Sequence, residues 1–221
     1  MNELYIAPSM LMDVPPLAFL EVARDAGYHG VGLRLQKSPQ FPIFPIVGDA
    51  PLIRDIRSAL ADSGLKVLDV LAFYLLPETD VRDYEPALSL GAQLGARYAL
   101  TQGNDPDWGR LCATFDKFCA VASQCGLTPI IEFCPNRTLG TLGQTLELLE
   151  QTGHSDIPIL VDPIHLVRSE GTHVVRHGHG VTFTRFRSVA PARHARFDSD
   201  CRRGCRARRP RISASRRRCA A

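Results

Sequence analysis

The stretch "LTPIIEFCPNRTLGTLGQTLELLEQTGHSDIPILVD" (127–162) contains two short apolar segments on either side of an amphipathic one. Residues 127–133 and 157–162 are rich in isoleucine, leucine and valine, which favours buried β-strands. Residues 141–153, between them, have the pattern of a helix. A strand, a helix and a second strand in this order predict a right-handed crossover, which makes the two strands parallel.

The same alternation continues outward from this unit to the N-terminus. Strands are predicted at residues 4–8, 30–35, 66–75, 97–103, 127–133 and 157–162, and helices at 15–28, 51–65, 80–96, 105–127 and 141–153. Strands separated by amphipathic helices indicate an α/β protein with a parallel sheet.

Two architectures have this order of elements, the open doubly wound sheet and the (β/α) barrel. The first loop, "APSMLMDVPP" (7–16), has no glycine-rich phosphate turn, which disfavours a dinucleotide-binding sheet. A barrel instead predicts polar residues at the carboxyl ends of its strands. Arg34, Gln102, Glu132 and Asp162 occupy such positions. We therefore predict an incomplete TIM-type (β/α) barrel with about six of its eight βα units.

Glu132 and Asp162 lie at the ends of consecutive strands, where two carboxylates would repel each other unless a cation lay between them. Mn²⁺, Mg²⁺, Co²⁺ and Zn²⁺ suit such oxygen-rich ligands. Alternatively, the two carboxylates cap neighbouring loops or pair with Arg34 or Arg137. His165 is either a hydrogen-bonded loop histidine or a side chain that turns back over the barrel mouth.

Several segments resemble the xylose isomerase-like TIM-barrel family, which includes sugar-phosphate isomerases and epimerases, inosose dehydratases and hydroxypyruvate isomerase-like proteins. They are "AGYHGVGLRL", "GLKVLDV", "LGARYALTQGND", "GLTPIIEFCP", "TLGQTLELLEQTG" and "LVDPIHLVRSEGT". The glutamate that ends strand five and the D-x-x-H after strand six are the most specific. The resemblance covers the first 171 residues.

The resemblance implies a divalent metal held by Glu132 and Asp162, with further ligands from strands seven and eight. It implies that His165 touches the substrate and, with Glu132, acts in catalysis. Arg34 and Gln102 are candidate substrate-binding residues. The implied reaction is isomerisation or epimerisation of a small sugar, sugar phosphate or sugar acid through an enediolate. A lyase of the same fold, such as an inosose or dehydroshikimate dehydratase, is the alternative.

Two departures from the family narrow this expectation. Thr138 stands where sugar epimerases of the group often have a glutamate, six residues after Glu132. This disfavours the ketose 3-epimerase subgroup. The ends of strands three and four carry none of the histidines that the related endonucleases use for three zinc ions, which disfavours a DNA-repair nuclease.

The charge of the chain changes near residue 172. Residues 1–171 carry 12 basic and 21 acidic residues, whereas residues 172–221 carry 14 arginines, no lysine and two acidic residues, and the whole chain has a net charge of +3. We predict a barrel domain at 1–172 and a basic, low-complexity tail at 173–221. Such a composition favours disorder in the tail.

Three interpretations of the tail remain open. It is a basic arm that binds nucleic acid, a metal knuckle, or the product of a reading-frame shift in GC-rich DNA. The knuckle would use Cys201, Cys205, Cys219 and His194. The absence of lysine and the acidic barrel favour the frameshift. A barrel that lacks strands seven and eight would lose metal ligands and expose sheet edges, through which copies of the chain could associate.

Other features of the sequence exclude some classes of protein. No apolar run is long enough to span a bilayer, and "MNELYIAPSM" (1–10) does not resemble a signal peptide. We therefore expect a cytoplasmic protein with no membrane partner. The cysteines at 112, 119, 125 and 134 form no CxxC pair. We expect them to be core thiols.

Overall fold

The computed structural model describes residues 3–37 and 43–169. Within these ranges, six parallel strands form one sheet in the order β1-β2-β3-β4-β5-β6. They are β1 (Tyr5–Ile6), β2 (Gly30–Arg34), β3 (Lys66–Leu75), β4 (Tyr98–Gly103), β5 (Thr128–Glu132) and β6 (Ile159–Leu160). The predictions for the tail, including its boundary at residue 172 and its cysteines, lie outside the described residues.

Helices connect the strands, as the crossover of parallel strands requires. They are α1 (Pro16–Asp25), α2 (Ala50–Ser63), α3 (Glu85–Gln93), α4 (Trp108–Gln124), α5 (Leu142–Thr152) and α6 (Pro163–Arg168). Two 3₁₀ turns, Pro8–Met10 and Val81–Tyr84, precede α1 and α3. None of the helices in the described ranges has the length and apolar character needed to cross a membrane.

The sheet curls into a half-barrel with two apolar faces. The outer face packs against the helices in a large core that contains Phe73, Phe115 and Phe118. The inner face forms a smaller cluster of strand residues alone, made up of Leu71, Ala72, Tyr74, Leu100, Ile130 and Leu160. This arrangement confirms the predicted incomplete TIM-type barrel. Strands β1 and β6 form the two edges of the sheet within the described residues.

The helix boundaries follow local capping interactions. Asp107 caps α4 by accepting a hydrogen bond from the Arg110 backbone N–H at 2.8 Å. The helix therefore begins at Trp108 rather than at residue 105, where the sequence pattern placed its start. Thr141 and Gln144 form a reciprocal capping box at the start of α5. Gly153 ends α5 with a φ of 73°, which suits glycine.

The β4–α4 connection is fixed by a buried carboxylate. Asp105 is fully buried and receives two hydrogen bonds from the Arg110 guanidinium, at 2.6 and 2.7 Å. Farther along, Thr138 donates its backbone N–H to the Asn104 side chain at 3.1 Å, and Leu139 donates to the Gly103 carbonyl at 3.1 Å. The loops that follow β4 and β5 are thus tied together at the carboxyl end of the sheet.

Candidate metal centre and active site

The carboxyl ends of β5 and β6 place two acidic residues side by side. Glu132 is the last residue of β5 and pairs in register with Leu160 of β6. Asp162 follows β6 by two residues and is the N-cap of α6, with Pro163 at the first helical position. Because the two strands are parallel neighbours, both side chains lie at the same edge of the sheet.

A third side chain joins these carboxylates. One ligand atom from each of Glu132, Asp162 and His165 lies within 4.8 Å of the other two. His165 is in the first turn of α6, and this short helix brings its imidazole back towards the end of the sheet. The sequence left open whether His165 is a loop histidine or turns back over the barrel mouth, and it did not indicate the helix α6. The resulting cluster has two oxygen donors and one nitrogen donor.

Glu132 is buried, with 9 % of its surface exposed. Burial raises the pKa of Glu132 to about 7, and the nearby carboxylates of Asp162 and Asp69 act in the same direction. Gln102 opposes this increase by donating a hydrogen bond from its side-chain nitrogen to Oε2 of Glu132. Gln102, predicted to bind substrate, therefore lies in the site and orients the Glu132 carboxylate.

Asp162 also has a local structural role. Its Oδ1 accepts a hydrogen bond from the Ile164 backbone N–H at 2.7 Å, which caps α6. This is the capping interaction that the sequence left open as an alternative to metal binding. The two roles are compatible, since a carboxylate has about four lone-pair sites.

The two arginines considered from the sequence lie in different surroundings. Arg34 ends β2 and lines a cleft together with apolar residues that include Phe19 and Phe44. Arg137 follows β5, and its guanidinium lies 4.9 Å from the ring centre of Tyr74, which belongs to the inner face of the sheet. Arg34 thus borders an apolar cleft, and Arg137 packs on the barrel wall.

Sequence reasoning missed two polar residues near the site. Asp69 lies in the middle of β3 with 4 % of its surface exposed, and burial raises the pKa of its carboxyl to about 7. The signal was present, since Asp69 interrupts the apolar run "VLDVLAFYL". Cys134 was expected to be an ordinary core thiol, but its sulfur lies 3.9 Å from His165 Nδ1. No pattern in the sequence indicates that contact.

The donor set of the cluster fits a divalent cation. Two carboxylates and an imidazole lie within 4.8 Å of one another, and hard or borderline divalent ions favour such ligands. A cation would offset the repulsion between the two carboxylates, which otherwise favours protonation of the buried Glu132. The further ligands that the family resemblance implies, from strands seven and eight, fall outside the described residues.

Comparison with solved structures shows the same fold. The probable 3-DHS dehydratase AsbF from Bacillus anthracis matches with a TM-score of 0.62 and 15% identity over 76% of this chain and 65% of its own length. D-psicose 3-epimerase from Clostridium cellulolyticum H10, solved with D-tagatose, gives a TM-score of 0.59 and 14% identity over 78% and 67%. The IOLI protein with a bound zinc atom gives a TM-score of 0.58 and 15% identity over 74% and 64%. This chain therefore spans about two thirds of the length of each.

A search of curated protein sequences found no match. A family model described as "Xylose isomerase-like TIM barrel" matches residues 20–197, which extends beyond residue 172. The match covers most of the chain and agrees with the half-barrel of parallel strands. The chain therefore belongs to the xylose isomerase-like TIM-barrel family.

Proposed function

We propose that this chain is a divalent metal-dependent isomerase or epimerase that acts on a small sugar, sugar phosphate or sugar acid. The single observation that carries the proposal is the cluster of Glu132, Asp162 and His165, whose ligand atoms lie within 4.8 Å of one another. The cluster lies at the carboxyl end of the strands, which is where enzymes with a TIM-type barrel have their active sites.

In this proposal, Glu132 and Asp162 hold the ion, and the His165 imidazole lies beside it, where it can also contact a substrate hydroxyl or carbonyl. The metal, as Mn²⁺, Mg²⁺, Co²⁺ or Zn²⁺, would supply Lewis-acid polarisation of a substrate carbonyl. Asp162 is held in place by its hydrogen bond to the Ile164 N–H, so its carboxylate needs little reorganisation to bind.

Glu132 is the residue that we propose moves the proton. Its carboxylate would remove a proton from the carbon next to the carbonyl and return it to a neighbouring atom or to the other face. Gln102 holds one oxygen of that carboxylate through its hydrogen bond to Oε2, which orients the group. Tyr74 pairs in register with Gln102, and Leu160 pairs with Glu132. Together with Leu100 they belong to the apolar cluster of the inner face, which would limit the access of water to the site from the barrel interior.

A dehydratase is the second candidate, because removal of the same proton can be followed by loss of a hydroxyl group. The similarity to the probable 3-DHS dehydratase AsbF, which extends over 76% of this chain, supports retaining this alternative. The two candidates share the roles of Glu132, Asp162 and His165. They differ only in whether the product has lost water.

A third candidate has no catalytic role and binds nucleic acid through the arginines of residues 173–221. It predicts binding that weakens steeply with salt and that disappears when the tail is deleted. It also predicts that substitutions in the cluster have no effect on binding. The enzyme and the binding protein can therefore be separated by the same set of variants.

Deuterium incorporation tests the enzymatic proposal without knowledge of the natural substrate. The full chain is incubated in D₂O with Mn²⁺ or Co²⁺ and a panel of ketoses, aldoses and sugar acids, and the products are analysed by NMR and mass spectrometry. We expect deuterium at the carbon next to the carbonyl of at least one substrate. A product that has lost water identifies a dehydratase, and a product whose composition differs from that of the substrate only by the incorporated deuterium identifies an isomerase or epimerase.

Two variants make this experiment specific for the cluster. Glu132→Gln removes the proposed base while keeping the size of the side chain, and we expect it to abolish deuterium incorporation. Glu150→Gln is the matched control, because Glu150 is exposed on α5. Equal exchange by the Glu132→Gln variant and the unmodified chain would refute the proposed role, as would a lack of exchange with the whole panel.

A further inference from the structure

Cys134 lies between two side chains that it can contact at the same time. Its sulfur is 2.8 Å from Oδ1 of Asn136 and 3.9 Å from Nδ1 of His165. Cys134 is buried, with 8 % of its surface exposed, whereas Asn136 is exposed. The thiol therefore connects the loop after β5 with the imidazole on α6.

The hydrogen atoms in this group can be assigned by counting donors. An amide oxygen only accepts, so the thiol of Cys134 must donate its single hydrogen to Asn136. The sulfur is then left as an acceptor towards His165. In a neutral imidazole one nitrogen carries the hydrogen and the other has a lone pair. The hydrogen-bond partner of either nitrogen determines which of the two carries the hydrogen. The Nδ1 that faces an acceptor must carry the hydrogen.

We propose that Cys134 is a positioning residue that holds neutral His165 in the tautomer with its hydrogen on Nδ1. Nε2 then carries the lone pair. A nitrogen with a lone pair is the form that ligates a metal or accepts a hydrogen bond from a hydroxyl group. The inference that this lone pair binds a metal or a substrate rests on the proposed function, whereas the inference about the tautomer does not.

The chemistry of the contact explains why a cysteine suits this position. A thiol can donate to Asn136 and accept from His165. Serine keeps a donor and an acceptor, but its C–O bond is shorter than a C–S bond, so its oxygen would not reach Nδ1 of His165. Alanine could do neither, and it would leave Nδ1 of His165 without its acceptor. Free from that contact, the ring would adopt the Nε2–H tautomer, which histidine side chains prefer in water.

The experiment is a long-range ¹H–¹⁵N correlation spectrum of the full chain labelled with ¹⁵N-histidine, at a pH where imidazoles are neutral. The pattern of couplings from the ring carbons distinguishes Nδ1–H from Nε2–H. The signals of His165 are assigned as those missing from a His165→Gln variant. No metal or substrate is added, so the outcome is independent of whether the chain exchanges deuterium.

We expect the Nδ1–H tautomer of His165 to be the major form in the unmodified chain. In Cys134→Ala it should become the minor form. Asn136→Ala tests the same hydrogen bonds from an exposed position. Without the Asn136 amide oxygen, the Cys134 thiol can donate to Nδ1 of His165, so the population of the Nε2–H tautomer should increase. Cys125→Ala, at the end of α4, is the control and should leave the His165 pattern unchanged.

Two results would overturn the proposal. The first is an Nε2–H pattern for His165 in the unmodified chain. The second is an Nδ1–H pattern of His165 that persists in Asn136→Ala. If Cys134→Ala folds, the pattern would have to persist in that variant as well. A Cys134→Ala variant that fails to fold still leaves the unmodified spectrum and the Asn136→Ala spectrum as decisive tests.

Discussion

Replacing Asp69 with asparagine removes an acid that is buried inside the half-barrel. Asp69 lies in β3, and burial raises the pKa of its carboxyl from 3.8 to about 7. Its own backbone N–H is the group that opposes this increase. The Asp69 carboxylate in turn contributes to raising the pKa of Glu132. Asparagine has nearly the same shape as the protonated acid but cannot ionise.

The raised pKa determines how the stability of the fold should change with pH. At low pH, Asp69 is protonated in both the folded and the unfolded chain. As pH rises from about 4 to about 7, the unfolded chain ionises while the folded chain retains the proton, so the free energy of unfolding decreases. Above about 7 both states are ionised, and the decrease stops.

The size of the effect follows from the shift. Each unit of pKa corresponds to about 1.36 kcal/mol, so a shift of roughly three units corresponds to about 4 kcal/mol at most. We therefore expect Asp69→Asn to be more stable than the unmodified chain at pH 8, by up to about 4 kcal/mol, and to differ little at pH 4.

Urea unfolding of the full chain, followed by circular dichroism from pH 4 to pH 8, measures this difference. Asp62→Asn, at an exposed position of α2, is the control, and surface substitutions usually change stability by less than about 0.5 kcal/mol. An Asp69→Asn variant that is less stable at pH 8, or a difference that does not vary with pH, would refute the reasoning.

Three further predictions use other parts of the structure. A Cβ atom at Gly32 would lie 2.5 Å from Oδ1 of Asp69, so Gly32→Ala should lower the free energy of unfolding by about 1–3 kcal/mol. The control for this prediction is Gly143→Ala, where a Cβ meets nothing closer than 3.8 Å, so the variant should be neutral or stabilising in the same urea experiment. Gln102→Leu should keep the fold but reduce deuterium exchange about 10–100-fold, because Glu132 loses its orienting hydrogen bond. Among the described residues β6 is an edge strand, so we expect reversible association of chains through it, seen as a concentration-dependent sedimentation coefficient; a constant monomer value would contradict this.

The sequence predicted the architecture because its signals are local and repeated. Short apolar runs alternate with amphipathic helices, and each pair of runs specifies a parallel crossover. The ends of elements were predicted less well, because they depend on single side chains. Asp107, for example, delays α4 until Trp108, and the segment 157–162 forms a strand only at Ile159–Leu160, where it pairs with β5.

The site was predictable only in part, for a related reason. Glu132 and Asp162 could be placed together because neighbouring parallel strands end at the same edge. The contact of Cys134 with His165 depends on the short helix α6, which brings the imidazole back, and no periodicity predicts it. The burial of Asp69 depends on which face of β3 points inward. In a regular strand, successive side chains point to opposite faces of the sheet. A register irregularity in β3 between Val70 and Phe73 interrupts this alternation, so the sequence pattern does not show on which face Asp69 lies.

Titration of the full chain with Mn²⁺, followed by electron paramagnetic resonance of the free ion, tests the proposed metal centre most directly. We predict one bound Mn²⁺ per chain, at least a tenfold loss of affinity in Glu132→Gln and in Asp162→Asn, and unchanged affinity in Glu150→Gln. No stoichiometric binding by the unmodified chain, or equal affinity in all four proteins, would contradict the account.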